Sequence, residues 1–401
     1  MHIAVFYQHY NNPDCAATSR LFGHLRCWAP RHAVTLITTR AWFDRRLTRQ
    51  FDWVPPGVEV VMLDVPYDNT MDTRRRLRAF AHFATRAALK GLSIAKPDVI
   101  LGISTPLTAA WAAAATARRR QTPWVFMVKD LWPDFPVQMG AVKNRWLQRR
   151  LYALEHRLYR SAAHVIPFSP DMETHILNHG IDPATVTTQL NGTDFWLLDA
   201  CADADVAALR QAHGLNGKKV VLYGGAMGRA NDIPTLLETA QRLDHRAAVQ
   251  FVFIGHGFLT RRVREAAARL PNVTLLPPQP RHRMLCWFKL ADLSLVSFID
   301  LPVLATNSPA KFFDSLGAGT PVLVTNPGWT KRFVEEHRCG WYAPPSNAEA
   351  LAYRLDAVLA DPDALTTAGC QGAAVARRLF DRDAMAEALE AIFHRVAGRE
   401  G

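Results

Sequence analysis

Cysteine is scarce and scattered: the six residues at positions 15, 27, 201, 286, 339 and 370 form no CxxC pair. That spacing argues against a structural zinc site and a disulfide framework, and it suits a reducing cytoplasm. Low-complexity tracts are missing. Long apolar runs are nearly so: the longest uncharged stretch, "VILGISTPLTAAWAAAATA" at 99–117, just reaches spanning length. Ser104, Thr105 and Pro106 cut it into a five-residue strand and an Ala-rich helix, so a soluble strand–turn–helix is expected instead of a membrane span. The opening "MHIAVFYQHY" reads as a strand and carries no leader signature. No aromatic-and-basic motif for nucleic acid is present, so no nucleic-acid partner is expected. Nor is there a persuasive metal-binding pair of acids. Asp203 and Asp205 fall in an expected interdomain loop, and neither metal nor other cofactor is expected.

What is present describes a globular chain. Its 401 residues are 49% hydrophobic and 21% charged, and two domains of about 150–200 residues are the natural division. Net charge is +11, with 24 Lys and Arg against 16 Asp and Glu in residues 1–200 and 23 against 20 in the rest. The basic excess therefore belongs to the first half, where an anionic substrate or an anionic membrane surface would use it.

Short β-branched runs alternate with longer helical patterns. "IAVFY", "AVTLIT", "VEVVML", "DVILG", "WVFMV" and "HVIPF" are the strands expected in the first half. "KVVLYG", "VQFVFIG", "NVTLL", "DLSLVS" and "PVLVT" are those expected in the second. Most are continuously apolar, as parallel strands covered on both faces require. An α/β chain of two doubly wound, Rossmann-like sheets follows. Residues 1–200 are expected to form the first domain and 201–380 the second, with 381–401 a final helix packing back on the first. A ligand is expected in a cleft faced by strand C-termini.

Three glycine-bearing turns follow strands in the second half: "YGGAMGRAND", "FIGHGFLTRR" and "SLGAGTPVLV". Gly224, Gly225 and Gly228 would let backbone approach a diphosphate, with the next helix N-terminus favouring its charge. Arg229 is a counter-charge there, or a solvated loop residue. Pro309, Ala310 and Lys311 start a helix whose amides and ammonium suit the remaining phosphate oxygens. Asp314 lies between two phenylalanines and a strand. A buried carboxylate needs a partner, and vicinal ribose hydroxyls suit an acceptor-only group.

The order of these pieces resembles the GT-B glycosyltransferases of family 4 across nearly the whole chain. "VVLYGGAMGRANDIPTLLETA", "FVFIGHGF", "LPNVTLLPPQP", "ADLSLVSF" and "SPAKFFDSLGAGTPVLVTNPGW" are similar to its donor-domain blocks. "VKDLWPD", "LEHRLYRSAAHVIPFSPDM" and "NGTDF" are similar to its N-terminal half. The subgroup most resembled builds bacterial O-antigen, capsule and exopolysaccharide units and includes fucosaminyltransferase-like enzymes. The resemblance implies a retaining, metal-independent transfer of a hexosyl or N-acetylhexosaminyl group from a nucleotide diphosphate sugar, UDP-linked by family habit, to a lipid-linked saccharide. It implies a donor site of Gly225, Gly228, Arg229, Gly255, Gly257, Ser308, Pro309, Lys311 and Asp314, the last as ribose acceptor. Lys311 and Arg229 are the cations it implies for catalysis, as substitutes for the family's own. The family's Glu-x7-Glu signature is half present: its first acid falls at Thr306. The Arg and Lys usual on its first glycine loop fall near Ala226 and Asn231.

In the first half, "VKDLWPDFP" puts Lys129, Asp130 and Trp132 just after a strand. Asp130 is expected to contact a sugar hydroxyl or assist the acceptor, with a turn or N-cap aspartate as the plain alternative. His9 and Arg20, in the loop "YQHYNNPDCAATSR", are expected to meet the acceptor or its phosphate. Residues 71–96 read as a helix with Arg74, Arg75, Arg76, Arg78, Arg86, Lys90 and Lys96 around Leu77, Phe80, Phe83 and Leu89. Basic amphipathic helices suit an anionic membrane surface, and "ARRRQ" and "RWLQRR" add further basic clusters. The chain is thus expected in the cytoplasm, peripheral on the inner face of the membrane. Two rival readings are a sugar-nucleotide epimerase and a non-catalytic GT-B subunit.

Overall fold

The computed structural model describes residues 1–10, 20–39, 54–67 and 71–399, the Thr73 side chain excepted. Twelve strands form two six-stranded sheets. The first contains β1 (His2–Phe6), β2 (Ala33–Thr39), β3 (Val58–Leu63), β4 (Val99–Ile103), β5 (Trp124–Val128) and β6 (His164–Pro167). The second contains β7 (Lys219–Gly224), β8 (Val249–Ile254), β9 (Val273–Leu276), β10 (Leu293–Val296), β11 (Val322–Val324) and β12 (Gly340–Tyr342).

Spatial order is β3-β2-β1-β4-β5-β6 in one sheet and β12-β11-β10-β7-β8-β9 in the other. Neighbouring strands are parallel throughout. Each sheet therefore reverses direction once, between β1 and β4 or between β7 and β10, which is where doubly wound sheets open toward ligands. The expected doubly wound α/β architecture is what the chain adopts. All eleven expected strands form. β12 was not foreseen, because three residues give too short a pattern to separate a strand from a turn.

The units divide at Leu190/Asn191, somewhat earlier than the expected 200. One holds the described residues up to Leu190 together with those from Asp383 onward; the other is Asn191–Arg382. Each sheet is sealed by helices. In the second unit Val221, Tyr223, Phe251, Phe253 and Leu323 on the strands meet Ile233, Leu236, Leu351 and Leu355 on helices in one apolar core.

The last helix, Arg382–Val396, lies mostly in the first unit. The fully buried Trp28 donates through Nε1 to the Ala386 carbonyl at 3.0 Å, and its ring meets Phe393 at 5.2 Å between centroids. Arg26 pairs with Asp383, and His32 Nε2 lies 2.8 Å from Glu390.

The 99–117 stretch resolves into β4 and the helix Leu107–Arg120, and no helix among the described residues is long and apolar enough to cross a membrane. One expectation fails on cysteine. Cys201 and Cys286 are paired as a disulfide across 85 residues. The pairing arises because the fold lays the segment after Asn191 along the helix Arg281–Leu290, a proximity that sequence spacing does not carry. Replacing Trp28 by Ala removes a buried indole and its hydrogen bond. It is expected to lower stability by about 3–5 kcal/mol in denaturant unfolding, with the change read as a fall in the midpoint.

Candidate nucleotide-diphosphate site

The second unit's glycine turns meet at the C-terminal ends of β7 and β8. Gly225 N–H donates to the Ile254 carbonyl at 2.9 Å and Met227 N–H to the His256 carbonyl at 3.0 Å. The fit leaves no room for side chains: a Cβ on Gly255 would stand 1.9 Å from the Gly225 oxygen, and one on Gly257 2.6 Å from Met227 backbone. Gly255 and Gly257 are thus required by contact between two turns, which accounts for them without a ligand. Gly228 N–H is also spent, on Asn231 Oδ1 at 3.1 Å. The Gly225 and Gly228 amides are therefore both engaged within the fold.

The start of the next helix is occupied as well. The Asp232 carboxylate accepts from the Thr235 hydroxyl at 2.8 Å and the Ser346 amide at 2.9 Å, so a negative charge already sits at the N-terminus of Ile233–Arg242. What remains for a phosphate is cationic. The helix Ala310–Gly317 begins after Pro309 with no side-chain cap, and Lys311 on its first turn is only 9% exposed. Its Nζ has no hydrogen-bond partner. It rests on the Tyr223 ring, 3.6 Å from the centroid, and a Cβ on the solvent-exposed Gly225 would stand 3.4 Å from its Cε. Burial pushes the ammonium pKa down to about 7, because no neighbouring charge offsets its lost hydration. Arg229 is exposed at the same turn, its guanidinium 4.1 Å from the Phe258 ring centroid. Ser308 is buried just before the helix, and the Thr306 hydroxyl donates to the Val303 carbonyl at 2.8 Å.

Asp314 does not depend on a ligand. Both of its oxygens are taken by Arg281, Nη2 at 2.7 Å from Oδ1 and Nη1 closer still to Oδ2. The Thr193 hydroxyl adds a third bond at 3.0 Å. Arg281 Nε also reaches Asp194 at 3.0 Å, and Asp194 pairs with Arg382 at 2.7 Å. Two carboxylates and two guanidiniums alternate, all at least nine-tenths buried. Burial pushes the Asp194 carboxyl up, but the Arg382 and Arg281 guanidiniums outweigh it and hold it below the usual range. The partner that its burial demanded is present within the fold, Arg281. Arg281 was not singled out in the sequence. The available signal was a basic residue opening the helix after "LPPQP".

In the first unit, strand ends gather most of the expected acceptor residues. Lys129 Nζ donates to the Tyr7 hydroxyl at 2.5 Å, and its amide to Ser104 Oγ at 3.2 Å. Asp130 accepts from the Thr105 hydroxyl at 2.7 Å. The His9 ring lies 4.6 Å from Tyr67 and 6.3 Å from Phe80, and Trp132 lies 6.1 Å from Phe80. Burial, then the Lys129 charge, push His9 down to about 3. It is neutral near pH 7 and brings no positive charge to a phosphate. The Arg20 guanidinium is stacked 5.2 Å from the Phe168 centroid. The rest of its loop, 11–19, lies outside the described residues.

Two family descriptions match the chain: Glycosyl transferase 4-like domain over residues 17–192 and Glycosyl transferases group 1 over 218–361. The chain belongs to the family-4 glycosyltransferases of GT-B fold. Its relatives include the probable glycosyltransferase WbjE of Pseudomonas aeruginosa, 28% identical over 59% of this chain and 59% of that protein. The putative colanic acid biosynthesis glycosyl transferase WcaI of Escherichia coli K12 is 26% identical over 50% of this chain and 51% of that protein. The chain thus matches half to three-fifths of the length of these curated relatives. Similar solved structures include sucrose-phosphate synthase of Thermosynechococcus elongatus, with a TM-score of 0.75 and 18% identity over all of both chains. Anabaena HepE in complex with UDP-glucose gives a TM-score of 0.72 and 17% identity over 98% of this chain and 100% of that one.

Arg281→Met leaves Asp314 buried without its counter-charge and is expected to cost about 3–5 kcal/mol in denaturant unfolding. Adding Asp314→Leu should recover most of the loss. Because the folded Asp194 carboxyl is held low, its contribution is present above the ordinary carboxylate pKa and disappears as pH falls through the lowered value. An unchanged midpoint in Arg281→Met would show that the network contributes nothing.

Proposed function

We propose that this chain transfers a sugar, with retention and without a metal, from a UDP-linked nucleotide sugar to a lipid-linked saccharide in the synthesis of a bacterial surface polysaccharide. The observation that carries this reading is Lys311, a buried ammonium with no hydrogen-bond partner beneath an exposed glycine turn. A buried cation without a partner is costly, and a diphosphate is the group whose charge it matches. The likeness to the glycosyltransferases WbjE and WcaI supports the class of reaction, and that to HepE, solved with UDP-glucose, the class of donor; retention and metal independence rest on the family resemblance.

As the C1–O bond to the leaving diphosphate breaks, negative charge accumulates on the phosphate oxygens. Lys311 and Arg229 stabilise it with fixed positive charge. The acceptor oxygen bonds to C1 as its proton passes to the leaving phosphate oxygen. Asp314, clamped by Arg281, holds the helix that aims Lys311, one turn earlier.

The acceptor side of the reading rests on the first unit's surface. The helix Thr73–Ser93 starts at Asp72, whose carboxylate accepts the Arg75 amide at 2.9 Å. Its apolar residues are split: Phe80 and Phe83 are buried, while Leu77 and Leu89 are exposed beside Arg74, Arg75, Arg78, Arg86 and Lys90. Trp146 is 65% exposed, with Arg150 stacked on it. Exposed leucine and tryptophan among basic side chains suit an interface with anionic lipid.

Calorimetric titration with UDP in EDTA tests the donor site. Binding should take up a proton at Lys311, so affinity should fall by up to about tenfold per pH unit above pH 7. Lys311→Met should lose both binding and pH dependence while remaining as stable as the parent or more so. UDP binding unchanged in Lys311→Met would refute the site, and binding without turnover of any donor would favour the non-catalytic reading. In flotation with phosphatidylglycerol-containing vesicles the chain should rise with the lipid, and Leu77→Ser/Leu89→Ser should weaken this severalfold. Equal flotation with neutral vesicles, or by the variant, would contradict membrane contact.

A further inference from the structure

In the first unit, away from the strand ends that gather the acceptor residues, the helices Asp134–Gln138, Arg145–Ser161 and Pro170–Leu177 bring two carboxylates and two imidazoles together. Glu155 is fully buried and the Asp134 side chain is 16% exposed. One oxygen of each carboxylate is held by a tyrosine. Tyr159 Oη donates to Glu155 Oε1 at 2.8 Å, and Tyr152 Oη donates to Asp134 Oδ1 at 2.9 Å. The other oxygens, Glu155 Oε2 and Asp134 Oδ2, are buried with no hydrogen-bond partner, and so is His175 Nε2. That nitrogen lies 3.5 Å from Asp134 Oδ2 and 3.8 Å from Glu155 Oε1. His179, four residues on, stands 4.7 Å from His175 between ring centroids. Its Nδ1 is 2.9 Å from the His175 carbonyl oxygen, which places a proton on Nδ1 and the lone pair on Nε2.

The geometry points to a structural binding site for a divalent ion of the zinc class, with Glu155, His175 and His179 as ligands and Asp134 as the fourth. Ligand atoms of the first three lie within 4.8 Å of one another. Bonds of about 2.0–2.1 Å put the ligands of a tetrahedral ion roughly 3.3 Å apart, so small side-chain rotations close the shell. Outer partners are already in place, two tyrosine hydroxyls on the carboxylates and a carbonyl on the imidazole, as metal ligands require. Two carboxylates and a dication cancel. A proton on His175 alone would leave the group one charge negative in a buried setting. Mixed imidazole and carboxylate donors favour zinc and its neighbours over calcium or magnesium, which take oxygen. The partly exposed imidazoles give the ion a path in from solvent, the His175 side chain being 25% exposed. Bound there, it would tie the helix after β6 to the long helix before it and take no part in the chemistry at Lys311.

Full-length protein stripped with EDTA would be titrated with zinc chloride by calorimetry and with cobalt(II) by visible absorption. His179→Gln and Glu155→Gln would be run beside it. His394→Gln serves as control, since His32, Glu390 and His394 form another group of possible ligands. One equivalent of zinc, a higher unfolding midpoint and a tetrahedral cobalt spectrum are expected. His179→Gln should lose at least about tenfold in zinc affinity along with the cobalt band, and His394→Gln should match the parent. The metal-free unfolding midpoint of each variant, compared with stripped parent, reports folding independently of the ion. No zinc uptake by the stripped parent overturns the site, as does uptake that both Glu155→Gln and His179→Gln retain in full. A loss confined to His394→Gln overturns it too, by placing the ion on the other cluster.

Discussion

The Arg281 guanidinium sits at the centre of the second unit's chemistry because it cannot be moved without exposing a buried charge. It grips both oxygens of Asp314 and reaches Asp194, which Arg382 closes from the other side. A lone carboxylate at the position of Asp314 would be prohibitively desolvated. Paired, it fixes the axial position and rotation of the helix Ala310–Gly317. Asp314 and Lys311 are three residues apart on that helix and share a face. The ion pair that holds one therefore sets where the other points.

The same helix shows two opposite treatments of buried charge. Asp314 is compensated by protein and is structural. Lys311 rests on the Tyr223 ring face, and among the described residues no hydrogen-bond partner compensates its burial. Where a fold leaves one charge unpaired next to an exposed glycine turn, the missing counter-charge is the natural identity of the ligand. The interlocked turns reinforce this division: Gly255 packs on Gly225, Gly257 on Met227, and the Gly228 amide is spent on Asn231, which leaves recognition to side chains.

Much of the architecture was legible because continuous apolar runs between helical patterns have one economical solution, a parallel sheet covered on both faces. That logic found eleven strands and missed Gly340–Tyr342, whose three residues hold too little pattern. The site was legible in outline. Lys311 announced itself by its place at a helix start, and Asp314 by its apolar surroundings. The protein partner of Asp314 was not legible, since Arg281 is 33 residues away and the two meet only through folding. The same holds for Cys201 with Cys286. The lowered pKa of His9 was hidden for a related reason: its burial, and the Lys129 charge beside it, exist only once Tyr67, Phe80 and Lys129 are assembled around it.

The central claim is that Lys311 is held in a depressed state by burial and completed by a diphosphate. Carbon-13 NMR of lysine ε-carbons, with Lys311 assigned by its loss in Lys311→Met, measures this directly as a titration with and without UDP. The account predicts a pKa near 7 in the free protein and a clear rise when UDP is bound. An ordinary lysine value in the free protein, unmoved by UDP, would contradict it.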